Sequence, residues 1–168
     1  MDDNKPEVFV EDLANGARRE GTRLRCVVNH GPAVLYWPLG IIVDEVWERG
    51  KLSKRSVRDW SAILVKVKIE GHRPAVKAEL EKLVGELDTV MLVNVKMPGW
   101  LGTGTFIGHM KDNKYHGKFV FVNDNGYALT GNCTDGKLHG GVVEYCTDGS
   151  ICDNIYEHGK YKSRTTRR

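Results

Sequence analysis

Apolar residues along this chain fall in short alternating bursts cut by glycine. Lys118-Phe-Val-Phe-Val122 is an aromatic and β-branched run that stops at Asn123-Asp-Asn-Gly126, which predicts a strand and then a turn. Tyr127 to Cys133 predicts a second strand, and Thr134-Asp-Gly136 turns again. Thr147-Asp-Gly149 is a corner of the same kind, where glycine takes a positive φ at little cost.

The corners are periodic. Gly108 and Gly131, Gly117 and Gly140, Gly126 and Gly149, and Gly136 and Gly159 are each 23 residues apart. Lys114, Lys137 and Lys160 keep the same step, as do His116 and His139, and Asn154 continues the series of Gly108 and Gly131. A further copy lies upstream: His30 to Lys51 aligns with His139 to Lys160 without a gap at an offset of 109, pairing Tyr36 with Tyr145 and Trp47 with Tyr156. Each period predicts one β-hairpin. A lone hairpin is marginal in water, so the hairpins must pack on their neighbours.

Residues 56–97 break the period. Ser56-Val-Arg-Asp59 has the spacing of a capping box, and the alternation in Ala62 to Ile69 predicts a strand. Gly71-His-Arg-Pro74 predicts a turn and a helix start. Val76, Leu80, Leu83, Val84 and Leu87 then share one helical face, and Val90 to Met97 returns to strand. An amphipathic helix must cover something. Packing on a sheet face or capping the end of the stack is the favoured role, and docking a partner is the alternative.

The expected fold is therefore mainly β with a helical insert: stacked antiparallel β-hairpins of about 23 residues forming an extended twisted sheet, with one amphipathic helix packing on it or capping it. We expect a single domain over 1–168, with a hairpin segment at 7–55, a strand–helix–strand insert at 56–97, hairpin repeats at 98–162 and a basic tail at 163–168.

The order, spacing and turn chemistry over about 98–162 and 24–52 resemble the MORN repeat, an aromatic or Tyr-x-Gly followed by spaced glycines, a strand and Asp-Gly. The copies are degenerate. Phe119, Val142 and Ala33 stand where the family often has a second glycine, and Phe106 or Leu129 stands for the leading Tyr. The resemblance implies a binding platform, a protein-interaction scaffold rather than an enzyme.

Composition adds little against this. The chain has 168 residues, 19 of them glycine and 5 proline, so the glycines mark turns rather than a linker. Net charge is +3, too small to imply nucleic acid by itself. The charge is uneven, with cations gathered at Arg49 to Arg58 and again from Lys160 to the end. The first residues are polar, unlike a signal peptide, and Cys26, Cys133, Cys146 and Cys152 form no C-x-x-C pair. Free thiols, a cytoplasmic location and no metal or cofactor are the expectations.

No nucleophile elbow or phosphate-binding loop is present, so no catalytic residue is assigned. His30, His116 and His139 recur at one slot before a hairpin glycine, which argues for structure rather than catalysis. The aromatic rows Tyr36/Tyr145 and Trp47/Tyr156 are either cross-strand packing or an exposed groove, and these four residues are the candidate partner-binding set. The expected partner is another protein or peptide. The alternative is an anionic lipid or nucleic acid bound by Lys51, Lys54, Arg55, Lys160, Lys162 and Arg164. A second alternative is an enzyme with an unrecognised site. A homodimer through exposed strand edges is compatible with all three.

Overall fold

The type of each turn follows from residues that tolerate positive φ, and those turns set the strands. In a computed structural model describing residues 5–24, 28–97 and 101–167, two antiparallel sheets form. Cys26, Trp100 and Arg168 lie outside the described residues. The chain divides into two compact units, Met1–Ala62 and Ile63–Arg168.

The first unit is a meander of five strands in chain order: β1 (Pro6–Asp12), β2 (Arg18–Leu24), β3 (Val28–Trp37), β4 (Ile41–Glu48) and β5 (Lys51–Val57). Leu35, Trp37, Ile41, Val43 and Phe9 are buried. Trp60 packs edge-on to Trp37, their centroids 6.3 Å apart.

The second unit contains β6 (Val90–Met97), β7 (Gly102–Lys111), β8 (Lys114–Asn123), β9 (Ala128–Thr134), β10 (Lys137–Leu138), β11 (Gly140–Tyr145), β12 (Ile151–Glu157) and β13 (Lys160–Arg167). Their order is β13-β12-β11-β9-β8-β7-β6, and β10 pairs with β9. The stretch expected as a basic tail is thus largely an edge strand, with Arg164 opposite Asn154 and Thr166 opposite Cys152.

Register sorts the side chains onto two faces. Phe106 opposes Phe121, which opposes Leu129, and Phe119 opposes Gly131, so these residues share one face. Phe106 and Phe119 stack with centroids 5.7 Å apart. A Cβ on Gly108 would come within 2.8 Å of the Phe119 Cβ and 2.9 Å of the Phe106 ring, so this strand position admits no larger residue without a shift. The other face carries Thr105, Ile107, Val120, Val122, Ala128 and Tyr145.

Helix α2 (Arg73–Glu81) packs on β8 and β9. Of the expected stripe, Val76 and Leu80 are buried on α2, which ends at Glu81. Leu83, Val84 and Leu87 are buried in the turn and short 3-10 helix (Val84–Glu86) that follow, so the helix is shorter than the apolar spacing predicts. His72 fixes its start: Nε2 lies 3.1 Å from the Gly149 carbonyl, and the ring sits 5.5 Å from that of Tyr145.

One expected element is different. Ala62 to Ile69 is not a strand: a one-turn helix α1 (Ser61–Leu64) is followed by turns, with Lys66 N–H bonding Ile63 O and Val67 N–H bonding Leu64 O. Ile63 and Val67, four apart, are buried, whereas Val65 is 66% exposed. The helical spacing of two residues outweighs the alternation of their neighbours. Ser56 belongs to β5, and the cap comes from Asp59, whose Oδ1 accepts from the Ser61 N–H at 2.9 Å.

Candidate functional site

Four two-residue turns are congruent: Arg49-Gly50, Asp112-Asn113, Asp135-Gly136 and His158-Gly159, every one of them at positive φ. This is the turn type that matches strand twist. Lys51, Lys114, Lys137 and Lys160 follow the four turns. Three are stitched to the preceding hairpin: Gly50 N–H bonds Asn29 O, Gly136 bonds Tyr115 O and Gly159 bonds Leu138 O, each at 2.8 Å.

The recurring histidines belong to this stitch. Nδ1 of His30, His116 and His139 accepts from the backbone N–H of Arg49, Asp135 and His158 at 3.2, 3.4 and 3.2 Å. Each thus satisfies a turn donor. His139 and His158 are also ring neighbours, 4.8 Å apart.

In the second unit the turn at His158-Gly159 borders a cleft of about 490 Å³. Met97, Leu101, Cys133, Leu138 and Tyr156 line it, with Lys137, His158 and Lys160 at its edge and no carboxylate among its described lining residues. Met97, Leu101 and Cys133 belong to the buried apolar cluster around Phe106, and Leu138 and Tyr156 pack against it. Burial pushes the Cys133 thiol up to about 11, so it stays neutral there. Tyr156 is half-buried, and burial followed by the Glu144 charge raises its hydroxyl, keeping the ring a neutral wall. Its other contact is edge-on to Tyr161, at 6.0 Å.

The first unit has a cleft at the corresponding turn, of about 400 Å³, lined by Phe9, Val10, Glu11, Arg23, Val28, Asn29 and Gly50. Val28, Asn29 and Gly50 are the counterparts of Lys137, Leu138 and Gly159. Here the charges are internally paired. Arg23 bonds Glu7 at 2.9 Å and lies over the Phe9 ring, and Glu11 accepts from Arg19 at 3.0 Å. Trp47, the counterpart of Tyr156, donates its indole N–H to Glu45 at 2.9 Å and carries the Arg19 guanidinium 5.0 Å from its ring centroid.

Behind Trp47 lies a buried ion triad. Glu45 accepts from Arg19 at 2.7 Å and from Arg55 at 2.7 Å, all three side chains being 4% exposed or less. Burial alone would raise the Glu45 carboxyl, but the bonds from Arg19 and Trp47 and the two guanidinium charges hold it below its ordinary value.

The expected aromatic rows therefore divide. Tyr36 is 42% exposed, while its counterpart Tyr145 is 7% exposed beneath His72. The basic set divides too. Lys51, Lys54, Lys160 and Lys162 are exposed, Lys162 beside Glu157 at 3.3 Å. Arg55 is held in the triad, and Arg164 bonds the Cys152 sulfur at 2.9 Å. The structure brings Tyr156 and Lys160 together at one cleft. Sequence reasoning missed Met97, Leu101, Lys137 and Leu138 as its other walls. The step linking Lys114, Lys137 and Lys160 was the available signal for Lys137.

Glu144, Cys146 and Cys152 also offer ligand atoms within 4.8 Å of one another. Arg164 places a cation against that cluster, which opposes a metal ion there. No helix among the described residues is long and apolar enough to cross a membrane.

The sequence matches no protein-family model and no curated protein.

Proposed function

We propose that this chain is a non-enzymatic protein-interaction module whose second unit holds a short acidic segment of a partner protein in the Tyr156 cleft. The observation that carries this reading is the lining: an apolar floor of Met97, Leu101, Leu138 and Tyr156 edged by Lys137, His158 and Lys160, with no acidic side chain among its described residues. A bulky apolar side chain would displace water from the floor, and carboxylates beside it would meet the two lysines. The floor supplies affinity, and the lysines supply orientation and rate of encounter. The MORN-like spacing of the hairpins agrees with a binding role, and a cytoplasmic location is part of the same proposal.

The test is selection from a displayed random-peptide library against the full chain. Enriched peptides should place an aromatic or aliphatic residue next to Asp or Glu. Tyr156→Ala and Lys160→Glu should each reduce their affinity by about tenfold or more. Enrichment without acidic residues, or equal binding by both variants, would contradict the proposal. Anionic vesicles or an oligonucleotide binding more tightly than any selected peptide would instead favour the basic-strand alternative.

A further inference from the structure

The β11–β12 hairpin carries chemistry that peptide binding does not use. Cys146 opens its turn, accepting from Gly149 N–H and donating its own N–H to Ser150 O, and Cys152 lies on β12 opposite Glu144. Their sulfurs are 3.8 Å apart, and both residues are buried. The Arg164 guanidinium donates to the Cys152 sulfur at 2.9 Å, and the Thr166 hydroxyl lies 3.7 Å from it. Cys152, Arg164, Thr166, Asp148, Gly149 and Ser150 line an open cleft of about 540 Å³, which gives a small solute a path to the sulfur.

The two thiols are thus unequal. Burial works against ionising Cys152, but bonds from Thr166, Arg164 and Cys146 lower it below an ordinary thiol. Burial first, and then the nearby Glu144 charge, push Cys146 up to about 11 despite a bond from Ser150. A thiol whose ionisation a cation favours, with a protonated thiol in reach, is the arrangement of a reacting and a resolving cysteine.

We propose that Cys146 and Cys152 are a redox-active dithiol: Cys152 is oxidised by a hydroperoxide, and Cys146 resolves it to an intramolecular disulfide within the hairpin. The Cys152 thiolate attacks the distal peroxide oxygen, forming an S–O bond as the O–O bond breaks. The departing alkoxide or hydroxide takes up a proton to leave as alcohol or water. Cys152 is then a sulfenic acid, oxidised by two electrons as the peroxide is reduced by two. The Cys146 sulfur next attacks the Cys152 sulfur, the S–S bond forms, the S–O bond breaks, and hydroxide leaves as water with the Cys146 proton. The sulfurs must close from 3.8 Å to roughly 2.0 Å within the hairpin. Oxidation changes the sulfur to which Arg164 now donates.

The test treats the reduced full chain with limiting hydrogen peroxide and maps its peptides without reduction. The expected product is a Cys146–Cys152 disulfide, reversed by dithiothreitol, with Cys133 left as a thiol. In Cys146→Ser the reaction should stop at a sulfenic acid on Cys152 that dimedone traps. In Arg164→Met, alkylation of Cys152 at neutral pH should slow by about tenfold, because the cation that favours its thiolate is gone. Wild-type protein that forms no Cys146–Cys152 disulfide, or in which Cys26 or Cys133 is oxidised first, would overturn the proposal. This readout needs no variant and stands apart from peptide binding.

Discussion

Strands β3–β4–β5 and β11–β12–β13 follow one chain path, yet the two units fill it with different chemistry. Gly31 opposes Trp47 as Gly140 opposes Tyr156, and Val34 opposes Asp44 as Val143 opposes Asp153. Even the outer ion pair is shared: Arg58 bonds Asp44 and Arg167 bonds Asp153, each at 2.7 Å. The interior slots diverge. In the first unit the acid is Glu45 on β4, clamped by Arg19 and Arg55. In the second that slot is Asn154, the acid has crossed to Glu144 on β11, and Val43 has become Cys152. Positions that the backbone requires for turns and register agree. Those facing the interior are free to become an ion triad in one unit and a dithiol in the other. The same divergence leaves Trp47 engaged by Arg19 while Tyr156 walls an apolar cleft.

The largest way to break the comparison is Glu45→Ala. It strands two buried guanidinium groups and should cost about 3–5 kcal/mol in urea unfolding. Asn154→Ala at the equivalent slot removes one bond to Glu144 and should cost only about 1–3 kcal/mol. Equal losses would mean that the triad does not hold the first unit together.

Acid separates the units next. A carboxyl lowered in the folded state contributes stability above its unfolded value, and that contribution is lost as pH falls through the folded value. Glu45 is such a group, while Asn154 in its place does not titrate. Below the ordinary carboxylate range the indole N–H resonance of Trp47 should shift, and Glu45→Gln should abolish that pH dependence.

The turn stitch should be similar in both units. His30→Ala and His139→Ala each remove one acceptor from a turn N–H and should each cost at most about 1 kcal/mol in thermal or urea unfolding. Smallest of all are Asp44→Asn and Asp153→Asn, whose partners are about half exposed. Their slight destabilisation should vanish in high salt.

The hairpin framework was legible in the sequence because its turns need residues that accept positive φ, and those residues recur at a fixed step. Helix α2 was legible because one stripe of it is apolar. The stretch from Ala62 to Ile69 misled because Val65, Lys66 and Val67 imitate a strand where only Ile63 and Val67 reach the core. The site was less legible. Tyr36 and Tyr145 occupy one repeat slot, but Tyr145 is buried, with the His72 ring packed on it, and Tyr36 is exposed. Arg55 and Arg164 read as surface cations because their partners Glu45 and Cys152 lie across neighbouring strands.

The most direct measurement is an amide and side-chain NMR titration of the full chain with an acidic–apolar peptide from the library selection. Shifts confined to Lys137, Leu138, Tyr156, His158 and Lys160, weakening as salt is raised, are the predicted result. Shifts centred instead on Tyr36, Trp47 and Lys51, or none at either cleft, would contradict the assignment of binding to the second unit.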